Sequence, residues 1–542
     1  MTKPITGAEA FVQCLSDGGI DTVFALPGEE TSDLMAALQA SEIEIVLCRH
    51  EQAAAFMASV HGRLTGRPAA CLATLGPGAT NLVTGVADAT LDHVPLIAIT
   101  GQGARSRLHR GAASHQIIDL ERLFQPVAKQ SVLIREASQI GDLVAEALRT
   151  AIGGTPGAVH VSLPEDLAGA TLDTAPSSIG KPQIAAPFPN PKALSDAVNQ
   201  LNAATRPLVL AGAGVGRAGA DGAFADFIDR TGLPVATSFM AKGLLPPDHA
   251  LHLGAFGLPV NDHVDRAIAA SDLLIAVGLD PVEYPVSKLS QGGEIPTLRI
   301  DTTEGQRDLG WRVTSEVIGD FEATLDGLGR AASRKADLWA DARAARAGLL
   351  SDLNHALGKL DDTPPSDTAL VAALNNTLGD GDLILSGVGT HKLSLARNLM
   401  PGEPGQVIIA NGLAGMGLAL PGTIAAARLG RYDRVLAVCG DGDVMMNIQD
   451  METATRLDLA MSVVVWIDGG YGLIEDKQEG ETGQRPDLGF SQIDWAQLAG
   501  AFGWHHTSCN TARDLRDCLA VRTAPERRHL ITVPVRYDGS LA

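Results

Sequence analysis

Short apolar runs alternate with amphipathic stretches along the whole chain, and this alternation predicts parallel strands flanked by helices. Runs such as Val435–Cys439 and Val463–Ile467 are rich in β-branched residues, as expected of strands buried on both faces of a sheet. A helix is predicted to begin near Glu51. The predicted strands are Thr22–Ala25, Ile45–Cys48, Ala69–Ala73, Leu96–Thr100, Ala158–Ser162, Leu208–Ala211, Val235–Thr237, Leu273–Val277, Leu298–Ile300, Leu383–Leu385, Val407–Ile409, Val435–Cys439, Val463–Ile467 and Leu530–Val533.

The same pattern divides the chain of 542 residues into three doubly wound α/β domains, in line with roughly 150 residues per domain. A Pro-rich stretch at 175–191 has little patterning and reads as a linker. A stretch rich in Ala, Arg and Leu at 331–361 predicts a helical connector. We therefore place the domains at 1–170, 188–330 and 366–542.

Composition excludes several classes of protein. A hydrophobic content of 45% with only 4% aromatic residues indicates aliphatic cores, and a net charge of −21 argues against nucleic acid or an anionic membrane as partner. No run approaches about 18 apolar residues, and MTKPITGAEAF has no apolar signal region. The six cysteines lack CxxC spacing. We expect reduced thiols, a cytoplasmic location and a small-molecule partner.

A glycine-rich turn, AGAGVGRAG, follows the predicted strand Leu208–Ala211. Its glycines invite a dinucleotide-binding interpretation, but the third one, Gly216, comes one residue too early for the G-x-G-x-x-G pattern. No acidic residue ends a clear second strand at the expected distance. The pattern therefore favours an ordinary strand-to-helix turn over a dinucleotide site.

The stretch from Arg434 to Ile474 carries the strongest chemical signal. Two predicted strands flank a segment in which Ile448, Met451 and Ala454 recur every three residues, as on the inner face of a helix. The triplet GDG follows the first strand and DGG follows the second. Because the carboxyl ends of parallel strands share one edge, where open α/β sheets bind ligands, both triplets are expected there. Carboxylates and glycines at that edge suit Mg²⁺ and phosphate oxygens.

Each triplet alone is also an ordinary turn sequence. Their combination, with 25 residues between Gly442 and Asp468, resembles the signature of thiamine diphosphate enzymes. The resemblance implies that Asp441, Asp468 and the carbonyl of Gly470 bind Mg²⁺. It also implies that this region holds the cofactor through Gly440, Asp441, Gly442, Asp443, Asp468, Gly470, Tyr471, Gly472, Leu473 and Ile474.

The first domain resembles the pyrimidine-binding domain of the acetolactate synthase family in RHEQAAAFMASVHGRLTG (49–66) and ATLGPGATNLVTGVADA (73–89). The resemblance implies that Glu51 bonds N1′ of the aminopyrimidine and so promotes removal of the proton at C2 of the thiazolium. A glutamate in a first helical turn is also favourable through the helix dipole alone. Because the GDG unit is present as well, we assign Glu51 the catalytic role.

Further matches cover nearly the whole chain. PGEE (27–30), ITGQ (99–102) and the pair His115-Gln116 resemble family segments that face the thiazolium, with Gln116 as a hydrogen-bond donor to substrate and His115 either catalytic or structural. SGVGTHKLS (386–394) resembles the diphosphate loop, and ANGLAGMGLALP (410–421) resembles the segment that holds the cofactor in its bent shape. The cofactor-binding residues implied by these two segments are Val388, Gly389, Thr390, His391, Ala414 and Met416.

Within the family, the sequence resembles the catabolic, FAD-independent acetolactate synthases. VGLDPVEYPV (277–286) matches their central segment, and the Arg-rich RFDDR-like run that contacts FAD in biosynthetic enzymes is absent. We therefore expect no FAD. Lys477 stands where the family commonly has Gln or Trp. Either it pairs with a substrate carboxylate, or it is one charge of the polar stretch EDKQEGETGQRPD (475–487).

The resemblance implies three domains, pyrimidine-binding, central and diphosphate-binding, in a thiamine diphosphate- and Mg²⁺-dependent enzyme. It implies decarboxylation of pyruvate and transfer of the two-carbon unit to a second 2-oxo acid, giving 2-acetolactate. It also implies a homodimer with shared active sites, in which Glu51 meets Asp441 of another subunit, and pairing of dimers into a homotetramer. A 2-oxo acid decarboxylase or 2-hydroxyacyl lyase on the same fold remains an alternative, whereas a non-catalytic regulatory member is disfavoured because Glu51, Asp441 and Asp468 are all present.

Overall fold

A computed structural model describes residues 4–108, 115–257, 262–305, 311–333, 337–521 and 527–538. The described chain contains three six-stranded sheets, and every strand pair within them is parallel. The predicted fold class, three doubly wound parallel-sheet domains, is therefore confirmed. Within the part of the chain that is described, no helix is both long enough and apolar enough to cross a bilayer.

The N-terminal sheet has the strand order β3-β2-β4-β5-β7-β6, with β1 and β8 forming a small antiparallel ladder beside it. The strands of this domain are β1 (Ile5–Thr6), β2 (Thr22–Leu26), β3 (Glu44–Leu47), β4 (Ala69–Ala73), β5 (Leu96–Gln102), β6 (Gln130–Leu133), β7 (Ala158–Pro164) and β8 (Thr171–Leu172). The helices are Gly7–Asp17, Ser32–Gln39, Glu51–Thr65, Pro77–Leu91, Leu120–Phe124, Ile140–Ile152 and Glu165–Ala168.

The central sheet has the order β11-β10-β9-β12-β13-β14. Its strands are β9 (Pro207–Ala211), β10 (Val235–Thr237), β11 (His252–Ala255), β12 (Leu273–Val277), β13 (Thr297–Asp301) and β14 (Val313–Ile318). The helices are Pro191–Ala203, Gly214–Arg217, Asp221–Thr231, His263–Ala270, Val286–Leu289 and Phe321–Ala331. The predicted linker 175–191 has no regular structure up to Asn190, whose side chain caps the helix that begins at Pro191.

The predicted connector contains the helix Ala340–Leu357, while its residues 334–336 lie outside the described residues. The C-terminal sheet follows, in the order β16-β15-β17-β18-β20-β19. Its strands are β15 (Asp382–Ser386), β16 (Val407–Ile409), β17 (Arg434–Gly440), β18 (Met461–Ile467), β19 (His505–Ser508) and β20 (Arg528–Pro534). The helices are Asp367–Thr377, Thr390–Asn398, Ala419–Arg428, Asp441–Val444, Met451–Arg456, Gly472–Thr482, Trp495–Ala501 and Ala512–Ala520.

The N-terminal and C-terminal sheets share one topology. If the six strands of each sheet are numbered along the chain, both sheets run in the order 2-1-3-4-6-5, whereas the central sheet runs 3-2-1-4-5-6. In such open sheets the chain leaves neighbouring strands in opposite directions at a switch point, and ligands bind outside the carboxyl ends there. In the C-terminal sheet that switch point lies between β15 and β17, so the loops 387–391 and 440–443 meet at it.

The single helix predicted between β17 and β18 is wrong in extent. The segment forms a short helix Asp441–Val444, a 3-10 turn Ile448–Asp450 and a helix Met451–Arg456, because the backbone at Asn447 is not helical. Met451 and Ala454 are buried as predicted, but Ile448 is only half-buried. The apolar spacing thus identified the inner face of the later helix and overestimated its length.

The chain forms two compact units. The first contains residues 1–184 together with 412–430 and 446–459, and the second contains 185–411, 431–445 and 460–542. Helix Ala419–Arg428 accordingly packs on helix Glu51–Thr65 within the first unit. The cores of both units consist mainly of Ala, Val, Leu and Ile, as the low aromatic content predicts.

Candidate active site

Two carboxylates lie side by side at the carboxyl edge of the C-terminal sheet. Asp441 and Asp468 follow the paired strands β17 and β18, and their side chains are hydrogen-bonded to each other. The carboxylate of Asp441 accepts the amide N–H of Gly442 at 2.9 Å and that of Gly469 at 3.0 Å. The two triplets after these strands therefore meet, as the parallel pairing predicts.

The environment of this pair disfavours two negative charges. Burial raises the pKa of Asp441, while partial burial of the Asp468 carboxyl and the negative charge of Asp441 raise the pKa of Asp468. A divalent cation would allow both groups to ionise. Carboxylate oxygens with a nearby backbone carbonyl, such as that of Gly470, are a hard donor set that suits Mg²⁺. The described residues contain no cluster of three or more metal-binding side chains, so the remaining ligand positions would fall to water or phosphate.

The loop 387–391 lies beside the carboxylate pair and is held by Asp443. The carboxylate of Asp443, which is buried, accepts the amide of Val388 at 3.0 Å. A Cβ on Gly387 would lie 1.8 Å from Asp443, so only glycine permits this approach. Gly389 has a φ of 155° and precedes the helix that begins at Thr390. A phosphate placed at this helix N-terminus would benefit from the free amides and the helix dipole.

His391 lies on the inner side of the same loop. It is buried at 1% exposure, and burial together with the neighbouring charge of Lys392 lowers its pKa to about 3. It is therefore neutral at physiological pH. Its ring lies edge-on to Trp466 at 6.3 Å, and Nε2 makes no hydrogen bond with the described residues. A Cβ on Gly389 or Gly440 would lie 3.1 or 3.2 Å from Nδ1 of His391, so the ring packs against both loops.

An apolar patch covers the outer side of the carboxylate pair. Tyr471, Leu473 and Ile474 are exposed by 39%, 37% and 51%, and Tyr471 packs edge-on against Phe490 at 4.7 Å. None of the residues of helix Gly472–Thr482 is buried. Large apolar side chains exposed together beside a polar site indicate a surface that a ligand or another chain covers.

Lys477 lies on this same helix. Its side chain is 71% exposed and forms a loose ion pair with Glu481 at 3.9 Å. The helix is tied to the following loop by Arg485, whose guanidinium bonds Glu475 at 2.7 Å and Asp476 at 2.6 Å. Lys477 therefore reaches solvent from a helix that is anchored close to Asp468.

Glu51 is the first residue of helix Glu51–Thr65 and belongs to the first unit. It is 7% exposed, and its carboxylate accepts a hydrogen bond from Asn81 Nδ2 at 3.0 Å. His50 caps the helix by accepting the amide of Gln52. Gly78 approaches Glu51 so closely that a Cβ there would lie 3.3 Å from the carboxylate. Glu51 therefore lies buried at the start of this helix, with Asn81 as the hydrogen-bond donor to its carboxylate.

Two other predicted cofactor residues lie in the same unit as Glu51. Ala414 has a φ of 53°, a conformation that costs a non-glycine residue about 1–3 kcal/mol, and Met416 is half-buried close by. The amide of Gly412 in this segment donates to Asp92 at 2.6 Å, and the carbonyl of Gly417 accepts a hydrogen bond from Asn447. The strained backbone is therefore fixed at both ends.

His115 and Gln116 are both exposed, and residues 109–114 before them lie outside the described chain. Gln116 has a φ of 59°, and its carbonyl approaches Gly76 so closely that a Cβ there would lie 2.5 Å away. In PGEE, Glu30 accepts a hydrogen bond from Thr74 at 2.7 Å. The loops 27–30, 74–77 and 115–116 thus gather at the carboxyl edge of the N-terminal sheet.

Sequence reasoning overlooked two residues. Asn81, the partner of Glu51, lies within the segment 73–89 but was not singled out, although an amide one helix away is a natural partner for a buried carboxylate. Tyr537 lies behind the carboxylate pair, where burial and the charges of Asp468, Asp367 and Asp441 raise its pKa. No local pattern marks it, because it follows the last strand of the chain.

Comparison with known proteins agrees with this geometry. Residues 5–123 match the model described as "Thiamine pyrophosphate enzyme, N-terminal TPP binding domain", residues 194–328 match its central domain and residues 387–533 its C-terminal TPP binding domain. The chain is 31% identical to an acetolactate synthase of Bacillus subtilis (strain 168), over 99% of this chain and 94% of the relative.

It is 32% identical to the acetolactate synthase isozyme 1 large subunit of Escherichia coli (strain K12), over 94% of this chain and 91% of the relative. It is 28% identical to a catabolic acetolactate synthase of Raoultella terrigena, over 98% and 95%. The chain therefore belongs to the acetolactate synthase family of thiamine diphosphate-dependent enzymes.

Proposed function

We propose that the protein is a Mg²⁺-dependent carboligase that decarboxylates pyruvate and joins the two-carbon unit to a second 2-oxo acid, giving 2-acetolactate. The observation that carries the proposal is the contact between Asp441 and Asp468 beside the loop 387–391, at the switch point of the C-terminal sheet. This arrangement supports a cation and a diphosphate on neighbouring backbone loops.

Thiamine diphosphate, when bound, supplies the electron sink for decarboxylation and carbon–carbon bond formation. Asp441, Asp468 and the Gly470 carbonyl would hold Mg²⁺, and the backbone of 389–391 and of 440–442 would receive the diphosphate, while the amide of Val388 fixes the loop through its hydrogen bond to Asp443. Glu51 holds a proton at N1′ of the aminopyrimidine. Ala414 and Met416 would support the cofactor, while Gln116 and His115 would face the substrate.

We further propose a homodimer with shared active sites, paired into a homotetramer. The exposed apolar side chains of Tyr471, Leu473 and Ile474 beside Asp468 support a covering subunit there. In this assembly Glu51 of one subunit serves the metal site of another. A cytoplasmic location is consistent with the six cysteines, all of them free and five of them buried.

The central domain supports the proposed independence from FAD. Its strand order, 3-2-1-4-5-6, is that of dinucleotide-binding folds, and the glycine-rich turn after β9 stands where a diphosphate would bind. In this protein, amides of the turn are already hydrogen-bonded to other groups of the same domain. The amide of Gly212 donates to Val277, that of Gly214 to Gly278 and that of Ala213 to the buried carboxylate of Glu283, at 2.9, 2.8 and 3.0 Å.

The backbone around Gly278 fills the remaining space. A Cβ on Gly212 would lie 2.4 Å from the Gly278 carbonyl, so the two loops are in direct contact. Glu283 also accepts a hydrogen bond from Ser238. These three amides are therefore not available to a dinucleotide diphosphate, and we propose that Glu283 stands in for that anion.

One incubation separates the ligase from the alternative lyase. The purified protein with pyruvate, Mg²⁺ and thiamine diphosphate is expected to form acetolactate, with acetaldehyde as a minor product. Acetaldehyde as the main product would instead identify a 2-oxo acid decarboxylase on this fold. Absence of both products, with cofactor bound, would contradict pyruvate as the donor.

A further inference from the structure

Asp450 is a fully buried carboxylate that contacts the turn leading into Glu51. Its Oδ1 accepts the backbone amide of Arg49 at 3.0 Å and the hydroxyl of Thr453 at 2.8 Å. Arg49 and Asp450 belong to the same compact unit although they are far apart in sequence. Because Arg49 stands two residues before Glu51, the hydrogen bond fixes the point at which the chain turns from β3 into the helix.

Asn447 makes the second contact. It is also fully buried, and its Nδ2 donates to the side chain of Gln52 at 3.4 Å and to the carbonyl of Gly417 at 3.0 Å. Gln52 follows Glu51 directly. The residues on both sides of Glu51 are therefore held by one segment, 447–450, which also holds the backbone next to Met416.

Burying the carboxylate of Asp450 costs free energy, because the charged group loses its hydration. Burial raises the pKa of Asp450 to about 6, and the hydrogen bonds from Arg49 and Thr453 offset this only in part. An apolar side chain of similar volume would avoid desolvation of the carboxylate, but it would leave the amide of Arg49 without this acceptor. The buried carboxylate of Asp450 has a clear role if it orients the amide of Arg49, because an apolar side chain cannot accept that hydrogen bond.

We propose that Asp450 and Asn447 are positioning residues for Glu51. Asp450 fixes the backbone at Arg49, before Glu51, and Asn447 fixes the side chain of Gln52, after it. Together they hold the helix N-terminus so that the Glu51 carboxylate keeps one orientation. The inference rests on the proposed role of Glu51 at N1′. Displacement of a reacting group by about 1 Å costs on the order of 10²-fold in rate, so small shifts of this turn matter.

The first test needs no cofactor. Hydrogen–deuterium exchange of the full-length protein should show protected amides in the peptide that contains residues 49–54. In Asp450→Ala these amides should exchange about ten- to a hundredfold faster, as expected on loss of a charge-assisted hydrogen bond. Asp450→Asn keeps an oxygen acceptor and should restore most of the protection. Asn447→Ala, a milder change, should raise exchange in the same peptide.

The control is Asp382→Asn. Asp382 is equally buried and accepts the amide of Gly379 at 2.9 Å, but it stands at the start of β15, at the opposite edge of its sheet from the carboxylate pair. In Asp382→Asn, the exchange rates of the peptide that contains residues 49–54 should differ from wild type by no more than two wild-type preparations differ from each other. Unchanged exchange of that peptide in both Asp450→Ala and Asn447→Ala would overturn the positioning role.

The second test uses bound thiamine diphosphate and Mg²⁺, with deuterium exchange at C2 of the thiazolium as the readout. Asp450→Ala should slow this exchange on the order of 10²-fold at unchanged cofactor affinity, and Asp450→Asn should recover it. Glu51→Gln separates the two hypotheses. If C2 exchange in Glu51→Gln is as fast as in wild type, the proposed role of Glu51 itself is wrong. If C2 exchange is slow in Glu51→Gln but normal in Asp450→Ala, only the positioning role of Asp450 is wrong.

Discussion

At the scale of single residues, the carboxylate pair shows how a cation site is built from two groups that repel each other. Burial raises the pKa of Asp441, and burial with the negative charge of Asp441 raises that of Asp468, so the pair is stabilised in its fully ionised form only by a cation. Removing Asp441 should therefore abolish binding of thiamine diphosphate in the presence of Mg²⁺. Isothermal titration of Asp441→Ala tests this, with Asp487→Ala, an exposed carboxylate of the following loop, as control. Wild-type affinity in Asp441→Ala would contradict the metal site.

The proposed role of Glu51 is in proton transfer at N1′ and not in binding the diphosphate. Its substitution should therefore slow proton exchange at C2 without weakening cofactor binding. Glu51→Gln is expected to bind cofactor and Mg²⁺ normally, because Asn81 can hydrogen-bond an amide oxygen as well as a carboxylate. Exchange at C2 should fall by about 10²–10⁴, the usual contribution of general acid–base assistance. Quenched-flow proton NMR measures it. Exchange as fast as wild type would refute the assigned role.

The function of Lys477 is the least constrained by the sequence and the structure. Its ammonium is exposed, and its contact with Glu481 is too loose to hold it, so it is available to a 2-oxo acid carboxylate. A charge-assisted hydrogen bond contributes about 1.5–3 kcal/mol, so Lys477→Gln should raise acetaldehyde relative to acetolactate about ten- to a hundredfold. An unchanged product ratio and an unchanged affinity for pyruvate would remove Lys477 from the site.

At the scale of elements, the inner strands of all three sheets were predictable, whereas four of the six edge strands were not. All strands predicted from apolar runs are present, and β4, β10, β12 and β16 have the predicted bounds. The four longer strands that the pattern missed, β6, β11, β14 and β19, all lie at sheet edges. Three of them are largely half-buried or exposed and carry polar residues, and β11 is short and contains glycine, so none forms an apolar run.

The candidate site divides in the same way. The residues after β17 and β18 were predictable because parallel strands end at one edge, and the contact between Asp441 and Asp468 follows from it. Asn81, Asp450 and Tyr537 were not, because each lies close to groups that are distant in sequence. A hydrogen bond such as that from Arg49 to Asp450 leaves no periodic trace.

The closed turn of the central domain leads to a prediction at the scale of one element. Because the amides of Gly212–Gly214 are bonded within the protein, added FAD should find no anchor. The protein purified in the presence of FAD and passed through gel filtration is expected to be colourless and as active as protein never exposed to flavin. One equivalent of flavin retained per chain would show that the turn opens.

At the scale of the whole molecule, the two outer sheets repeat one topology and the central sheet has another. The first and third domains each place their candidate residues at the carboxyl edge of a sheet with this topology. At the switch point of the central sheet, the amides of Gly212, Ala213 and Gly214 are bonded within the protein. The central domain contacts the C-terminal domain within the second unit, where Arg397 is ion-paired with Asp262.

The contact between these two domains also contains a buried lysine, which leads to a prediction about stability. Lys242 donates to the carbonyl of Leu399 at 2.8 Å, and burial, with the charge of Arg397, lowers its pKa from 10.5 to about 7. Between those pH values the unfolded chain binds a proton that the folded chain does not. Stability therefore rises with pH across this window, and the cost is complete below pH 7.

Lys242→Met removes this linkage. The variant should gain stability relative to wild type at pH 7.5, and the gain should shrink by roughly 1.4 kcal/mol per pH unit towards pH 10. Loss of the hydrogen bond to Leu399 costs about 1–3 kcal/mol at every pH and does not alter the slope. Apparent Tm measured at several pH values tests this, with the exposed Lys192→Met as control. A Tm difference between Lys242→Met and wild type that does not change with pH would mean that Lys242 is protonated throughout and that the contact admits water.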